Sequence, residues 1–546
     1  MPFISHRIVI CAVVIMMLPA FGNSRKKKLV FHDTLINAPE LSLPLTDKKI
    51  VIAHCMTNII RYKGHPFEDS CNPEYYPPDN KASASLGGLT QVKPMTDQLM
   101  QDASLDEAVE FEMREAIKSG IDGFQFYYTL GNQSWDEIIK AYFRVADKKN
   151  IDFKFTFCIS HPSGGTQATR VHDFAARINS IIAEAGRNNK HWLRTPDGRL
   201  VVYMWYGEGL ADAQNVQGLS PQYFIAEAFK KLAEAVQEKF ACVVSINEQI
   251  SKDKLDQWLD YFPAVWLWTL PYTDHYIGNM VAAECKKRKR VFTGSVFADF
   301  YTSKLLKKGT WDMFHFVQDA AAAGIGGTER KYIVTGLSYN FRKLFEFGID
   351  NDVSIMNIIT WNDYPEGHHL ALEINHNDGF TVLLKYYKSV WQQQPSCFDK
   401  DVAIAFYKKY NHHITPSPYN IPVVEIEKAG ISANIEDSVE VVTIAKGKSV
   451  LTVNRHKANV EAGLQSNRFA PTTGEVNVSL QRDGWETIHF VCLEWITDKP
   501  YRTDRLTYSV SSEFPSFYKE VFGNYPLIFS AEYNAAMKDN RISFYR

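Results

Sequence analysis

Two carboxylates three residues apart, Asp363 and Glu366, are the residues of this sequence best suited to chemistry. They follow an apolar, β-branched run that begins at residue 355 and predicts a strand buried on both faces. Pro365 and Gly367 end that run and predict a loop. Paired carboxylates at a strand end can act as general acid and general base on a glycosidic bond. The alternative is an acidic loop whose carboxylates cap the next helix.

Seven further apolar runs precede this one, and amphipathic segments separate most of them. The eight runs are residues 50–55, 123–128, 153–160, 200–206, 241–246, 264–270, 291–297 and 355–361. In the segments between them apolar residues recur every three or four positions, which is typical of surface helices. Eight strands alternating with helices predict a (β/α)8 TIM barrel over residues 48–395. A doubly wound sheet is the alternative, but the first run has no glycine fingerprint and the chain has no Walker loop.

In such a barrel the carboxyl ends of all eight strands meet at one face, where binding and catalytic side chains lie. The predicted strand ends supply aromatic rings that can stack on sugar faces and polar groups that can contact hydroxyls. The predicted substrate-binding residues are His54, Tyr128, His161, Trp205, Tyr206, Glu208, Glu248, Trp268, Asp299, Trp361, Asn362, Tyr364 and His368. Taken singly, His54 could be a hydrogen-bonded core residue, Trp268 a packing residue, and Glu208 or Asp299 a helix cap.

No cofactor and no metal site is predicted. His368-His369 and His412-His413 are adjacent pairs, and adjacent side chains diverge on a regular element. The sequence contains no His-Glu-x-x-His and no paired Cys-x-x-Cys motif. It also lacks the Gly-x-Ser-x-Gly motif of a serine nucleophile.

Residues 360–368 read Thr-Trp-Asn-Asp-Tyr-Pro-Glu-Gly-His. This run resembles the Thr-Trp-Asn-Asp-Tyr-Gly-Glu-Ser-His signature of glycoside hydrolase family 71, the α-1,3-glucanases. Supporting similarities are Ile-Ala-His-Cys-Met at 52–56 and Ser-Gly-Ile-Asp-Gly-Phe at 119–124. The resemblance extends in order over residues 48–395. It implies a (β/α)8 barrel that hydrolyses α-1,3-glucan with inversion, with Asp363 and Glu366 as the catalytic pair.

The sequence also departs from that family at Pro365 and Gly367, which replace glycine and serine of the signature. The 57–104 segment is longer than usual and carries four aromatics, Tyr62, Phe67, Tyr75 and Tyr76, which we predict to shape substrate subsites. Two other functions therefore stay open. One is an α-mannan-active hydrolase similar to glycoside hydrolase family 99, and the other is a non-catalytic surface protein that binds glycans.

The first 22 residues have the features of a cleavable signal peptide. Arg7 is followed by an apolar segment at 8–18 and by the small-x-small sequence Ala20-Phe21-Gly22. We therefore expect a secreted or periplasmic protein, with a lead-in at 23–47 and no membrane span after cleavage. The net charge of −2 gives no indication of nucleic-acid binding, so the expected partner is a polysaccharide or oligosaccharide. The oligomeric state is not predicted.

The pattern changes after residue 395. Prolines at 395, 416 and 418 predict a linker over residues 396–420. Short alternating segments follow and predict an all-β sandwich over residues 421–546. The predicted strands are residues 439–444, 449–453, 476–480, 487–493 and 506–510. Lys446-Gly447 predicts a hairpin between the first two.

Overall fold

The computed structural model describes residues 44–66, 94, 96–131, 133–247, 249–268, 277–302, 306–309, 325–373, 375–415, 423–426, 431–500 and 505–523. The predicted signal peptide at 1–22 lies outside the described residues, as does most of the lead-in. Glu248 also lies outside them, together with Phe67, Tyr75 and Tyr76 of the 57–104 loop.

The chain alternates strands and helices up to residue 391 and is mostly β-structure beyond it. In chain order the strands are β1 Ile50–Cys55, β2 Gly123–Tyr128, β3 Lys154–Ser160, β4 Leu200–Trp205, β5 Phe240–Ile246, β6 Ala264–Leu267, β7 Val291–Phe292, β8 Gly294–Phe297, β9 Leu306–Lys307, β10 Thr328–Ile333, β11 Ile355–Ile359, β12 Val402–Lys408, β13 Val423–Ile426, β14 Val439–Ala445, β15 Ser449–Val453, β16 His456–Val460, β17 Gly463–Phe469, β18 Asn477–Arg482, β19 Trp485–Val491 and β20 Thr507–Ser511. The helices are α1 Thr96–Met100, α2 Leu105–Lys118, α3 Ser134–Lys149, α4 Gln167–Ala185, α5 Pro221–Val236, α6 Lys252–Tyr261, α7 Ile277–Arg288, α8 Tyr339–Asp350, α9 Gly379–Trp391 and α10 Phe514–Phe522. Among the described helices none has both the length and the apolar character needed to cross a bilayer.

Nine strand segments form one parallel sheet in the order β7-β6-β5-β4-β3-β2-β1-β11-β8. β7 and β8 are two parts of a single run interrupted at Thr293. β7 pairs with β6 and β8 pairs with β11, while the Thr293 N–H donates to the Val265 carbonyl at 3.0 Å. The run at 291–297 thus connects both edges of the sheet and closes it. The predicted (β/α)8 barrel is confirmed, and all eight predicted runs contribute a strand.

Side chains along each barrel strand alternate between the barrel interior and the surrounding helices. On β2, Phe124 and Phe126 contact Tyr142 of α3. Gln125 points the other way, and its amide donates to Asn357 of β11 at 3.4 Å across the interior. Helices cover the outer face, so the strands are apolar on both sides and read as continuous runs in the sequence.

The C-terminal region forms two four-stranded antiparallel sheets, ordered β17-β14-β12-β20 and β16-β15-β18-β19. Apolar residues of both sheets, such as Val441 and Leu451, share one buried cluster, so the predicted sandwich is confirmed. Two details of the prediction were wrong. β12 lies within the predicted linker and occupies a central position between β14 and β20. β14 and β15 belong to different sheets, so the turn at Lys446-Gly447 crosses between sheets and closes no hairpin.

Candidate active site

The loop after β11 is held in one conformation by its own hydrogen bonds. Asp363 caps a 3-10 turn at Tyr364–Glu366, where its Oδ1 accepts the Glu366 N–H at 3.3 Å. The Asp363 N–H donates to Thr360 Oγ1 at 2.9 Å. Gly367 ends the turn with φ of +68°, a conformation that L side chains rarely adopt. Asp363 therefore caps this 3-10 turn and not the next helix, which begins at Gly379, and the cap holds the Asp363 carboxylate against the turn.

Asp363, Glu366 and His368 form a compact group at the carboxyl end of β11. One carboxylate oxygen of each acid and one ring nitrogen of His368 all lie within 4.8 Å of one another. His368 Nε2 is 3.2 Å from Glu366 Oε2 and 3.8 Å from Asp363 Oδ2. The Glu366 side chain is 21% exposed and the Asp363 side chain 11% exposed, so Glu366 is the more accessible acid.

The two ring nitrogens of His368 have different surroundings. Its Nδ1 atom is buried and has no hydrogen-bond partner within the described part of the chain. Its Nε2 atom lies 3.2 Å from Glu366 Oε2. A buried N–H without an acceptor is costly, so the tautomer with the proton on Nε2, which can donate to Glu366, is the one that fits.

A row of rings extends from His368 along the carboxyl ends of the barrel strands. Trp268 follows β6 and lies edge-on to His368, with ring centroids 6.0 Å apart. Trp205 at the end of β4 is 4.9 Å from Trp268, and Tyr206 is 4.9 Å from Trp205. We call these four side chains the aromatic strip. His368 is buried, so the surface of the strip that solvent can reach consists of the half-buried Trp268 and Trp205 and the exposed Tyr206. His161, which follows β3, stacks on Tyr206 at 5.0 Å with an interplanar angle of 11°.

His54 lies beneath this strip. Its ring is 1% exposed and is 5.1 Å from Trp268 and 6.0 Å from Tyr127. Burial lowers the pKa of His54 to about 3, so its ring is neutral near pH 7. His54 therefore supports the rings above it and presents no surface to solvent.

The structure brings Tyr127 to this face and not Tyr128, which we had predicted as a binding residue. Tyr127 is half-buried beside His54 and Trp205. Tyr128 points to the helices, where its hydroxyl donates to Asp136 at 2.8 Å and Arg177 lies over its ring. The reason is the two-residue alternation of β2. Because Gln125 faces the interior, Tyr127 must do so as well.

Three residues of the motif serve packing rather than the open face. Trp361 is fully buried, and its indole N–H donates to Glu112 of α2 at 2.5 Å. Asn362 accepts the Met56 N–H at 2.8 Å and so ties the motif to the loop after β1. Tyr364 is 1% exposed and contacts His369. These positions place the loop but are not accessible to a substrate.

Asp299, predicted as a binding residue, instead lies in a buried contact between the barrel and the sandwich. It is 0% exposed, with Lys408 Nζ of β12 at 3.4 Å and His376 Nε2 at 3.6 Å. It also accepts the backbone N–H of Thr507. Burial alone would raise the pKa of Asp299, but the charge of Lys408 and the nearby His376 ring hold it well below its usual value. We call Asp299, Lys408, His376 and Thr507 the ionic seam.

The remaining predicted acid on this face is Glu208. It is exposed on the 3-10 turn Gly207–Leu210 after β4. Two aromatics that sequence reasoning missed, Phe297 and Phe300, surround His368 at 5.1 and 6.1 Å. Phe297 ends β8, so its position in a strand-end run could have identified it.

Two groups of side chains bring potential metal ligands together. They are Asp363, Glu366 and His368, and the buried set His369, Glu373 and His376. A metal-bound histidine normally donates its second ring N–H to a partner, and His368 Nδ1 has none in the described residues. In the buried set, Glu373 accepts the N–H groups of Asn375 and His376, and His376 Nδ1 lies 3.0 Å from the His369 carbonyl. Hydrogen bonds therefore satisfy Glu373 and His376 Nδ1, whereas both ring nitrogens of His369 and Nε2 of His376 have no hydrogen-bond partner among the described residues.

No protein-family model and no curated protein matches this chain. The structure is similar to an endo-α-mannosidase of glycoside hydrolase family 99 from Bacteroides thetaiotaomicron (10% identity, TM-score 0.43), over 64% of this chain and 98% of that one. It is also similar to a family 2 glycosyl hydrolase from Bacteroides cellulosilyticus (11% identity, TM-score 0.37, 71% and 43% of the two chains). A trimodular family 5 endo-β-1,4-glucanase from Bacillus licheniformis matches at 10% identity and a TM-score of 0.31, over 74% and 76% of the two chains. At these values the likeness extends to general architecture and carries no information on activity or substrate.

Proposed function

We propose that the protein is an exported glycoside hydrolase in which Asp363 and Glu366 carry the reaction. The observation that supports this is their grouping with His368 at the carboxyl end of β11, directly beside the aromatic strip. Rings give a sugar its stacking surface and the carboxylates provide proton transfer. The choice of α-glucosidic linkages, and of α-1,3-glucan among them, rests on the similarity of residues 360–368 to family 71.

The proposed reaction is a single displacement. Glu366 is the more accessible acid and donates its proton to the leaving oxygen as the glycosidic bond breaks. Asp363 takes a proton from a water, whose oxygen bonds to the anomeric carbon from the opposite face. The three-residue spacing of the two acids fits the reverse assignment equally well.

This single displacement is the inversion that the family resemblance implies. The carboxyl groups of an inverting pair stand about 6.5–9.5 Å apart to admit a water, whereas those of a retaining pair stand about 5–5.5 Å apart. Proton NMR in the first minutes of hydrolysis should therefore show the β-anomer first. An α-anomer that appears before mutarotation would reject inversion by Asp363 and Glu366.

The activity is tested by incubating the wild type with α-1,3-glucan, α-mannan and dextran and measuring reducing sugars. Asp363→Asn and Glu366→Gln should each lower turnover by about 10²–10⁴-fold, since each removes an acid/base group at nearly constant volume. Glu137→Gln on α3 is the matched control, because that side chain is 64% exposed in a surface ion pair. Near-wild-type activity of either site variant on the hydrolysed polymer would remove that residue from the mechanism.

The same panel separates the two other functions. Release of sugar from α-mannan alone would replace α-glucan with α-mannan as the substrate. Binding of a polymer without any release of sugar would identify a non-catalytic glycan-binding protein, for which the aromatic strip alone is sufficient.

A further inference from the structure

The outer end of the aromatic strip is an exposed, parallel pair of rings. Tyr206 is 53% exposed, although His161 covers one of its faces at 5.0 Å and 11°. A parallel neighbour on one side leaves the opposite ring face directed away from the pair. An exposed flat ring backed by a second ring is a surface on which a sugar ring can stack.

The backbone beneath this pair is fixed in an uncommon conformation. His161 has φ of 42° and Tyr206 has φ of 49°, in the left-handed region that bulky residues seldom occupy. Such conformations persist only where the surroundings impose them, and they cluster at ligand sites. Two of them side by side, both carrying rings, are difficult to explain by packing alone, because Tyr206 remains largely exposed.

Adjacent strands determine why the two rings meet. Ser160 of β3 pairs with Trp205 of β4, so the next residue on each strand, His161 and Tyr206, are neighbours. The turn after Tyr206 then passes very close to the turn after His161. A Cβ on Gly209 would lie 2.1 Å from the Pro162 carbonyl oxygen, so only glycine fits there. The ring pair is therefore preorganised, which lowers the entropic cost of binding.

The pair is also connected to the carboxylates. From His368 the strip reaches Tyr206 in three ring-to-ring steps of 6.0, 4.9 and 4.9 Å. We propose that Tyr206, backed by His161, is a distal subsite that stacks a sugar unit remote from the cleaved bond, so that the substrate is an oligosaccharide chain lying along the strip. This inference rests on the proposed function for the position of the cleaved bond, but the binding platform itself does not require catalysis.

The first test measures kcat/KM on α-1,3-linked glucose oligosaccharides of increasing length. Tyr206→Ala should lower kcat/KM by up to about tenfold on the long substrates, the size expected of one ring contact, and leave the disaccharide unaffected. Tyr206→Phe keeps the ring and should lose much less than Tyr206→Ala on the same substrates. Trp485→Ala is the control for loss of an exposed ring, because Trp485 is 77% exposed on β19 of the sandwich. Equal length dependence in wild type and Tyr206→Ala, or equal losses in the Ala and Phe variants, would overturn the stacking platform.

A second test separates this inference from catalysis. Glu366→Gln, with and without Tyr206→Ala, is run in native gels that contain carboxymethylated α-1,3-glucan, yeast α-mannan or dextran. Retardation by one polymer that disappears with Tyr206→Ala supports the platform even if the wild type hydrolyses nothing. Hydrolysis by the wild type with retardation unaffected by Tyr206→Ala would leave the proposed function standing and reject the platform. An absence of retardation by all three polymers would also reject it.

Discussion

Removing Lys408 should destabilise the protein far more than removing an ordinary surface lysine. Its side chain is 1% exposed and lies between two fully buried carboxylates, with Nζ at 3.4 Å from Asp299 and 3.6 Å from Glu436. The ammonium also donates to the Arg505 carbonyl at 2.8 Å and to Thr507 Oγ1 at 3.1 Å. In Lys408→Ala both carboxylates would stay buried. Asp299 would lose the cation that compensates it, while Glu436 would keep Arg505 at 3.9 Å.

The expected loss is about 3–5 kcal/mol, which is the cost of leaving one partner of a buried ion pair uncompensated. Backbone donors to Asp299, such as the Phe300 N–H at 2.9 Å, still stabilise its carboxylate in the variant and limit this loss of stability. Proteins have total free energies of unfolding of about 5–15 kcal/mol, so the expected loss is a large fraction of the total. Arg114→Ala is the matched control. Arg114 pairs with Glu110 on the surface of α2 and its side chain is 56% exposed, so about 0.5 kcal/mol or less should be lost.

The assay is urea unfolding at pH 7, followed by circular dichroism and by tryptophan fluorescence. Asp299→Asn and the double variant complete a thermodynamic cycle, in which the second substitution should cost much less once the first is present. Both probes should report one shared transition, because the ionic seam joins the barrel to the sandwich. A loss of less than about 1 kcal/mol in Lys408→Ala would refute the argument that Lys408 compensates the buried charge of Asp299.

Two other perturbations follow from buried groups. Burial lowers the pKa of His369 to about 4, so between pH 6.5 and 4 the unfolded chain binds a proton that the folded state does not. The contribution of this group to the free energy of unfolding is therefore full above pH 6.5 and should be lower by about 2 kcal/mol at pH 5. Urea unfolding at several pH values measures this change. In His369→Gln the free energy of unfolding should depend on pH less steeply by that amount. Gly367→Ala should lower both stability and activity, because φ is +68° and the new Cβ would lie 2.9 Å from the Tyr301 backbone nitrogen. A Gly367→Ala variant with the melting temperature and the turnover of the wild type would contradict the tight placement of the loop after β11.

The barrel could be predicted from the sequence because its strands are buried on both faces. Runs such as residues 50–55 and 123–128 therefore appear as continuous apolar stretches, and their observed bounds agree with the predicted ones. The strand ends could be predicted for the same reason, and with them Trp205, Trp268 and His368. What failed was the choice between adjacent residues. Tyr127 and Tyr128 differ only in the face of β2 that they occupy, which Gln125 alone indicates.

Contacts between distant segments could not be predicted in this way. Asp299 reads as a strand-end carboxylate, and only the presence of Lys408 makes it part of the ionic seam. Trp361 reads as a ring beside the catalytic pair, but Glu112 draws its indole into the core. β12 was assigned to a linker because it is isolated from the other sandwich strands in sequence. Its partners β14 and β20 follow it by many residues, and pattern alone does not show the pairing.

The position of β20 also affects the order in which the molecule can be completed during synthesis. Leu506 packs against Gly367, and the Ser509 N–H donates to the Asn375 carbonyl at 2.8 Å. The barrel strands and α9 have all been made by residue 391, but these supports for the loops after β11 come from Leu506 and β20. At translation rates of about 5–20 residues per second, the residues of the barrel are complete several seconds before the supports are made. The part of the chain that carries the chemistry is thus synthesised early and set in place last.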